Sequence, residues 1–284
     1  MTIGINGYEA VVPRFGYDPK TGLPRRVGSG EYCYQLLLNL NKLDKENNYI
    51  IYLPQSPTID LPKESDNWHY KIVRPRKLWT LFGLSLEFLF RRSKLDVFFS
   101  PTHYLPLFVP YPSVISVLDL SYIHFPMLFK KTDLFQLKYW TAFSVRKAKK
   151  VLTISEASKR DIIKTYGVRP ENVIVTYPGI REDLSMEDLR TKFGIEGKYI
   201  LFVGTLQPRK NIVRLIEAFS RFNNADLDLI IVGKKVWLYE EILIAPRKFG
   251  VEDRVKFLEF VDDDDLATLY QNALCFVFPS LYEG

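Results

Sequence analysis

The sequence predicts an α/β fold: two doubly wound, parallel-sheet domains in tandem, the second of them incomplete. Three observations carry this. Short apolar runs alternate with longer helical patterns, and repeated β-α-β alternation makes a parallel sheet covered by helices. The runs 199–203 and 227–232 are almost continuously apolar, as strands buried on both faces are. Tyr177-Pro178-Gly179 and the polar Arg181-Glu182-Asp183 separate the two series, which puts the domains at 1–180 and 181–284.

In the first series, strands are expected near 2–6, 49–53, 95–99, 113–117 and 150–154. Helices are expected near 30–43, 78–92, 132–148 and 156–166. The helix at 30–43 is entered from Val27-Gly28-Ser29-Gly30. The one at 78–92 holds 13 nearly all-apolar residues from Leu78 to Phe90, bracketed by Arg76-Lys77 and Arg91-Arg92. A spanning helix needs about 20, so this is a buried helix or one lying on a membrane surface. A new helix begins near Met186. The second series then reads as strands at 199–203, 228–232, 255–258 and 274–278, with helices at 211–222, 236–248 and 264–272. In the usual doubly wound order its fourth strand pairs with its first, leaving an unpaired apolar edge. The sequence is therefore expected to be a C-terminally shortened piece of a longer protein.

Composition narrows the function classes. Of 284 residues, 47% are hydrophobic and 25% charged, which excludes disordered, collagen-like and coiled-coil chains. Two cysteines exclude a disulfide scaffold and a four-cysteine zinc site. Cys33 and Cys275 lie in apolar stretches and are expected to be buried thiols in a reducing compartment. Residues 1–7 show no secretory pattern, and a cytoplasmic place is expected. Residues 1–183 carry 26 Lys and Arg against 17 Asp and Glu, and residues 184–284 carry 13 against 16. A basic first half suits an anionic substrate or an anionic membrane. No basic run is interleaved with aromatics as in a nucleic-acid module, so no nucleic acid is expected.

Ligands of open parallel sheets bind at the carboxyl ends of strands, which selects the loops to inspect. The first, 6–30, ends in Gly28-Ser29-Gly30 at a helix entry, suited either to a phosphate or to a plain cap. The second is Gly204-Thr205-Leu206-Gln207-Pro208-Arg209-Lys210-Asn211. Two cations just before a helix N-terminus oppose its dipole, and a bound diphosphate would reverse that balance. The third is Gly233-Lys234-Lys235, phosphate-facing or simply solvated. The fourth, 279–284, carries Glu283, a carboxylate able to accept sugar or ribose hydroxyls. In the first domain, Asp119 and His103 follow strands and should face the same cleft; with Glu283 they are the candidate catalytic residues, although a histidine at that place can equally be structural. His124 is ambiguous between structure and chemistry, and His69 is a surface residue. The run 262–265 resembles a carboxylate metal motif but precedes a helix, so it is read as capping, with no metal.

At these residues the sequence resembles glycosyltransferase family 4, retaining nucleotide-sugar transferases of the GT-B fold with two Rossmann-like domains. The strongest stretches are 27–31, 119–126, 153–161, 202–211 and 278–284. Bacterial mannosyl- or rhamnosyltransferase-like enzymes of surface polysaccharide synthesis look most similar. The resemblance implies that Gly28, Ser29 and Gly30 face the donor diphosphate from the first domain. Arg209 and Lys210 would neutralise it from the second, beside Gly204, Thr205 and Gly233. Glu283, followed by Gly284, would be the first glutamate of an E-x7-E motif and would touch the donor sugar or its phosphate. The second would fall at position 291.

Two departures stand out. The family often has a histidine before Asp119, where this sequence has Leu118. Many members have an arginine where it has Thr205, and Arg209 is placed to substitute.

The implied reaction moves a hexose, most simply mannose, from a nucleotide diphosphate sugar to a glycan or lipid-linked acceptor without metal or cofactor. A donor phosphate oxygen takes the acceptor proton, and domain closure excludes water. Peripheral contact with the inner face of an anionic plasma membrane goes with a lipid-linked acceptor. Two other readings stand beside this one: a non-catalytic fragment of such an enzyme, and another GT-B activity such as a nucleotide-sugar epimerase.

Overall fold

Successive side chains of a strand point to opposite faces, and here both faces are apolar. In the second strand Tyr49, Ile51 and Leu53 pack into one cluster with Leu37 and Trp68. Tyr52, between them, packs into another with Phe88 and Phe98. Later in the chain, Leu229 and Ile231 go to one side while Ile230 and Val232 go to the other. Strands buried on two faces need helices on both, and the chain supplies them. The computed structural model describes residues 1–13, 16–26, 28–91, 94–179, 192–195, 197–222, 224–236, 238–259 and 261–284, with Asp263 and Asp264 described by backbone alone.

The chain divides into two units, Met1–Pro178 together with Gly284, and Gly179–Glu283. The expected connector at 181–183 and the helix near Met186 lie outside the described residues. The first unit holds β1 (Thr2–Asn6), β2 (Asn48–Leu53), β3 (Trp68–Ile72), β4 (Val97–Ser100), β5 (Ser113–Ser116), β6 (Lys150–Thr153) and β7 (Val173–Val175). All pair in parallel, in the order β3-β2-β1-β4-β5-β6-β7. Its helices are α1 (Tyr8–Val11), α2 (Ser29–Leu43), α3 (Leu84–Phe90), α4 (Ser121–His124), α5 (Lys131–Lys147) and α6 (Glu156–Tyr166). A π-helical stretch, Trp79–Gly83, leads into α3. Ser155 caps α6 by accepting the Ser158 N–H, and Gly167 at φ 65° ends it.

The second unit holds β8 (Lys198–Val203), β9 (Leu227–Val232), β10 (Val255–Leu258) and β11 (Cys275–Phe276), parallel and ordered β10-β9-β8-β11. Its helices are α7 (Ile212–Phe219), α8 (Glu240–Lys248) and α9 (Asp263–Asn272). The expected pairing of the last strand with the first is present. Backbone bonds from Leu274 to Tyr199 and from Val277 to Leu201 extend it by a residue at each end.

Three expectations are corrected. β3 and β7 lie at the edges of the first sheet, where half-exposed alternation and a three-residue length gave no apolar run to read. Cys275 is exposed, because β11 is the edge strand of its sheet and nothing among the described residues covers its outer face. Cys33 is buried as expected, and burial together with the nearby Glu9 carboxylate pushes its thiol up to about 12. The apolar helix at 79–90 is buried on one face only: Trp79, Leu84 and Phe88 are in the core, whereas Phe82, Leu86, Leu89 and Phe90 are exposed.

Candidate functional site

Each sheet has one place where strand order reverses, and the connections diverge there to leave a crevice at the strands' carboxyl ends. In the first unit that place lies between β1 and β4, and in the second between β8 and β11.

At the β8/β11 crevice the chain leaves β8 at Gly204 and runs through a 3-10 turn, Pro208–Lys210, to Asn211. Asn211 has φ 58°, and its side-chain amide donates to the Pro279 carbonyl at 3.1 Å. The Leu281 N–H donates to the Arg209 carbonyl at 2.9 Å. The loops after β8 and after β11 are thus tied by backbone and side chain, which brings three charges together. Lys210 Nζ lies 2.6 Å from Glu283 Oε1, and Arg209 Nη1 lies 3.2 Å from the same oxygen. Arg209 also donates to the Tyr282 carbonyl. The Lys210 ammonium sits 4.3 Å from the centre of the Phe278 ring. The two cationic side chains are 10% and 11% exposed and the carboxylate 38%, so the positive groups are the inner ones.

The floor of the crevice is backbone. The Gly204 N–H donates to the Val232 carbonyl and the Leu206 N–H to the Lys234 carbonyl, which draws the exits of β8 and β9 together. A Cβ at Gly233 would lie 1.8 Å from the Gly204 carbonyl oxygen, so no side chain fits there. Thr205 Oγ1 accepts from the Gln207 amide at 3.0 Å. Gly284 follows Glu283 in the same loop. Lys235 pairs with Glu259 on the surface, and each group's charged form is favoured by the other.

At the strand exits of the first unit's crevice, neutral groups bond to one another. Asn6, fully buried at the end of β1, donates from Nδ2 to Ser100 Oγ at 2.9 Å and accepts the Tyr8 N–H at 3.1 Å. Ser100 in turn donates to the Tyr104 carbonyl at 2.8 Å, beside Thr102 at 3.1 Å. Gly28, at φ 56°, precedes α2, and the Ser29 hydroxyl donates to the Glu9 carboxylate at 3.1 Å. A Cβ on Gly30 would come 3.2 Å from the Glu9 carbonyl oxygen, so this glycine allows α2 to pack close on α1. An anion at the Gly28–Gly30 turn would share the start of α2 with Glu9. Pattern reasoning missed Glu9, although an acid inside Tyr8-Glu9-Ala10-Val11 was the available signal.

The other candidates are placed as follows. Asp119 Oδ1 accepts from both the N–H and the hydroxyl of Ser121, at 2.9 and 2.8 Å, a local turn two residues long just before α4. His103 follows β4, with its ring 6.2 Å from Tyr104 and 6.3 Å from Tyr122. His124 Nε2 lies 2.9 Å from Asp161 Oδ2, joining α4 to α6. His69 is exposed. In the acidic run, Asp262 at the N-cap makes no side-chain capping bond, which corrects the capping reading at that residue. Asp265 is buried and paired with Lys192 instead. Among the described residues, no three His, Cys, Asp or Glu side chains converge as a metal site would need.

The sequence model described as Glycosyltransferase Family 4 matches residues 28–184, more than half of the chain. That described as Glycosyl transferases group 1 matches residues 185–284. The chain belongs to glycosyltransferase family 4. A curated relative, O-antigen chain mannosyltransferase B of Escherichia coli, is 26% identical over 226 residues, 76% of this chain and 57% of that protein. The chain thus spans a little over half of that relative's length. Among solved structures, a sucrose-phosphate synthase from Thermosynechococcus elongatus matches with a TM-score of 0.68 at 15% identity, over 100% of this chain and 76% of that one. Anabaena HepE, solved in complex with UDP-glucose, matches at 0.63 and 18%, over 99% and 74%. These likenesses show the GT-B glycosyltransferase fold. The five sequence stretches that resembled the family all fall within the matched residues or border them.

Proposed function

We propose that this family 4 chain belongs to a retaining transferase that moves a hexose, with mannose the first choice, from a nucleotide diphosphate sugar to a hydroxyl of a glycan or lipid-linked acceptor. The single observation that carries this reading is that the buried Lys210 and the largely covered Arg209 share one carboxylate oxygen at the β8/β11 crevice. Buried cations require compensation, and one partly exposed carboxylate answers two of them incompletely. A diphosphate supplies the remaining negative charge. The mannosyltransferase relative supports the sugar, and UDP-glucose in the HepE structure supports the donor class.

In this reading the anomeric carbon–oxygen bond to the diphosphate breaks and a bond from that carbon to the acceptor oxygen forms on the same face. The acceptor proton passes to a donor phosphate oxygen, and the nucleoside diphosphate leaves. The task for the protein is to stabilise charge developing on the leaving group. Lys210 and Arg209 do this, while Gly233 lets the exits of β8 and β9 meet closely in the same crevice. Glu283 orients the cations and takes donor hydroxyls. No metal is used, and no step is routed through Asp119 or His103.

The test incubates the chain with radiolabelled GDP- and UDP-hexoses and a lipid-diphosphate-linked sugar. Label in the acceptor with the donor's anomeric configuration is the expected result. Absence of both donor binding and transfer across the panel overturns the reading.

A further inference from the structure

The Lys210 ammonium has a second neighbour at the β8/β11 crevice, and this one carries no charge. Phe278 follows β11, and Lys210 Nζ lies over its ring, 4.3 Å from the centre. Glu283 Oε1 lies 2.6 Å from the same nitrogen. The negative face of an aromatic ring attracts a cation, and does so more strongly where water is kept away. Lys210 is buried, so the contact is largely desolvated.

A carboxylate and a ring compensate a buried cation differently. The carboxylate cancels charge, and Glu283 is already shared with Arg209 at 3.2 Å. The ring offers only a quadrupole and leaves the net charge of the cluster as it was. A second carboxylate in its place would neutralise the two cations, and the crevice would no longer attract an anion.

The ring is itself held. Phe276 and Phe278 are two positions apart in an extended run, so their side chains share a face. Their ring centres are 5.7 Å apart with planes at 22°. Phe278 also stacks on Phe202 of β8, at 5.7 Å and 20°. Both spacings are those of offset aromatic pairs. The bond from the Val277 N–H to the Leu201 carbonyl sets this register, so the strand pairing that forms the crevice also places the ring. Gly204 leaves room for it. A Cβ there would come 3.2 Å from the Phe202 ring and 3.4 Å from the Phe278 ring. Phe278 is 40% exposed, whereas Phe202 is fully buried. Core packing at this point therefore rests on Phe202, and the ring of Phe278 is left for the ammonium.

We propose that Phe278 is a positioning residue of the diphosphate site. The face of its ring holds the Lys210 ammonium in place without neutralising it, so the charge meets the leaving diphosphate already oriented. This rests on the diphosphate reading of the crevice. The ring acts through Lys210, and Gly204 keeps it seated.

The experiment replaces Phe278 in the 284-residue chain with mono-, di- and trifluorinated phenylalanine. Fluorine withdraws charge from the ring face and barely changes its size. Affinity for UDP and for GDP is then measured by calorimetry. The dissociation constant is expected to rise stepwise with each fluorine, by about tenfold over the series. Urea midpoints are expected to hold across it, which separates a lost contact from a lost fold. A second measurement needs no ligand. In a chain carrying carbon-labelled lysine, the Lys210 ε-methylene signal is expected furthest upfield of the lysine signals, because the Phe278 ring current acts on it. Lys210→Arg removes that signal and so assigns it, and Phe278→Leu is expected to return it to the common position.

Unchanged affinity across the fluorinated series, with Lys210→Ala still weakening binding, overturns the proposal and leaves the diphosphate reading standing. Tighter binding with added fluorine also overturns it, since the ring would then compete with the ligand for the ammonium. So does a Lys210 signal at the common position in the parent chain. A parent chain that binds neither UDP nor GDP removes the diphosphate from the crevice, and the positioning role falls with it.

Discussion

At the β1/β4 crevice, Asn6, Ser100 and Thr102 turn their side chains on one another. At the β8/β11 crevice, Arg209 and Lys210 converge on a single carboxylate oxygen. The topology is the same in both, strands diverging from a reversal of order, yet the polar groups are used differently. The first arrangement is neutral and locally satisfied, so it fixes the ends of two strands. The second sets two inner cations against one outer anion, the arrangement on which the proposed diphosphate site rests. Strand order alone marks both crevices as binding places, and charge balance separates the scaffold from the candidate chemical site.

The largest effect expected from breaking this contrast is at Lys210. Removing one group that stabilises a developing anion costs on the order of 10²-fold in kcat. Lys210→Ala is therefore expected to lower turnover by about that factor while leaving the Arg209–Glu283 pair in place. Steady-state kinetics with a labelled donor checks it. A fall in kcat below about threefold would remove Lys210 from the site, since such a loss is too small for a charge contact in the transition state.

Next in size is the backbone floor. Gly233→Ala forces a methyl group to within 1.8 Å of the Gly204 carbonyl oxygen unless the two strand exits separate. Relieving such an overlap typically costs about 1–3 kcal/mol. Urea unfolding should lose that much, and donor affinity should fall with it because the same movement opens the crevice. Gly28 offers a contrast, because a Cβ there meets nothing within 4 Å and its constraint is the φ of 56°. An unchanged midpoint for Gly233→Ala would show that the close approach is not maintained in solution.

The sequence made the Lys210 loop readable because two cations before a helix oppose its dipole, a conflict visible without coordinates. The inner strands were readable because burial on two faces leaves almost no polar residue in 199–203 or 227–232. β3 was not, since Trp-His-Tyr-Lys-Ile at an edge mixes both kinds. The outward face of the 79–90 helix was hidden for the opposite reason. When both faces are apolar, periodicity carries no information on which is covered. The Glu9–Ser29 and Asn6–Ser100 bonds join residues 20 and 94 positions apart, beyond any local pattern.

The smallest expected effect sharpens the comparison within the first unit. Asp119 stands after a strand, where a catalytic carboxylate could be, yet its Oδ1 serves two bonds from Ser121 at the start of α4. Such a turn needs a side-chain oxygen acceptor, not a charge, and asparagine makes it as aspartate does. Asp119→Asn should therefore unfold within about 0.5 kcal/mol of the parent. Asp119→Ala, which lacks the acceptor, should lose about 1 kcal/mol, the worth of an ordinary hydrogen bond. If this local turn is the whole of its role, the asparagine variant also keeps its turnover within about threefold. A stable asparagine variant that loses about 10²-fold in kcat would instead put the carboxylate charge in the reaction, and the first crevice would share the chemistry now given to the second.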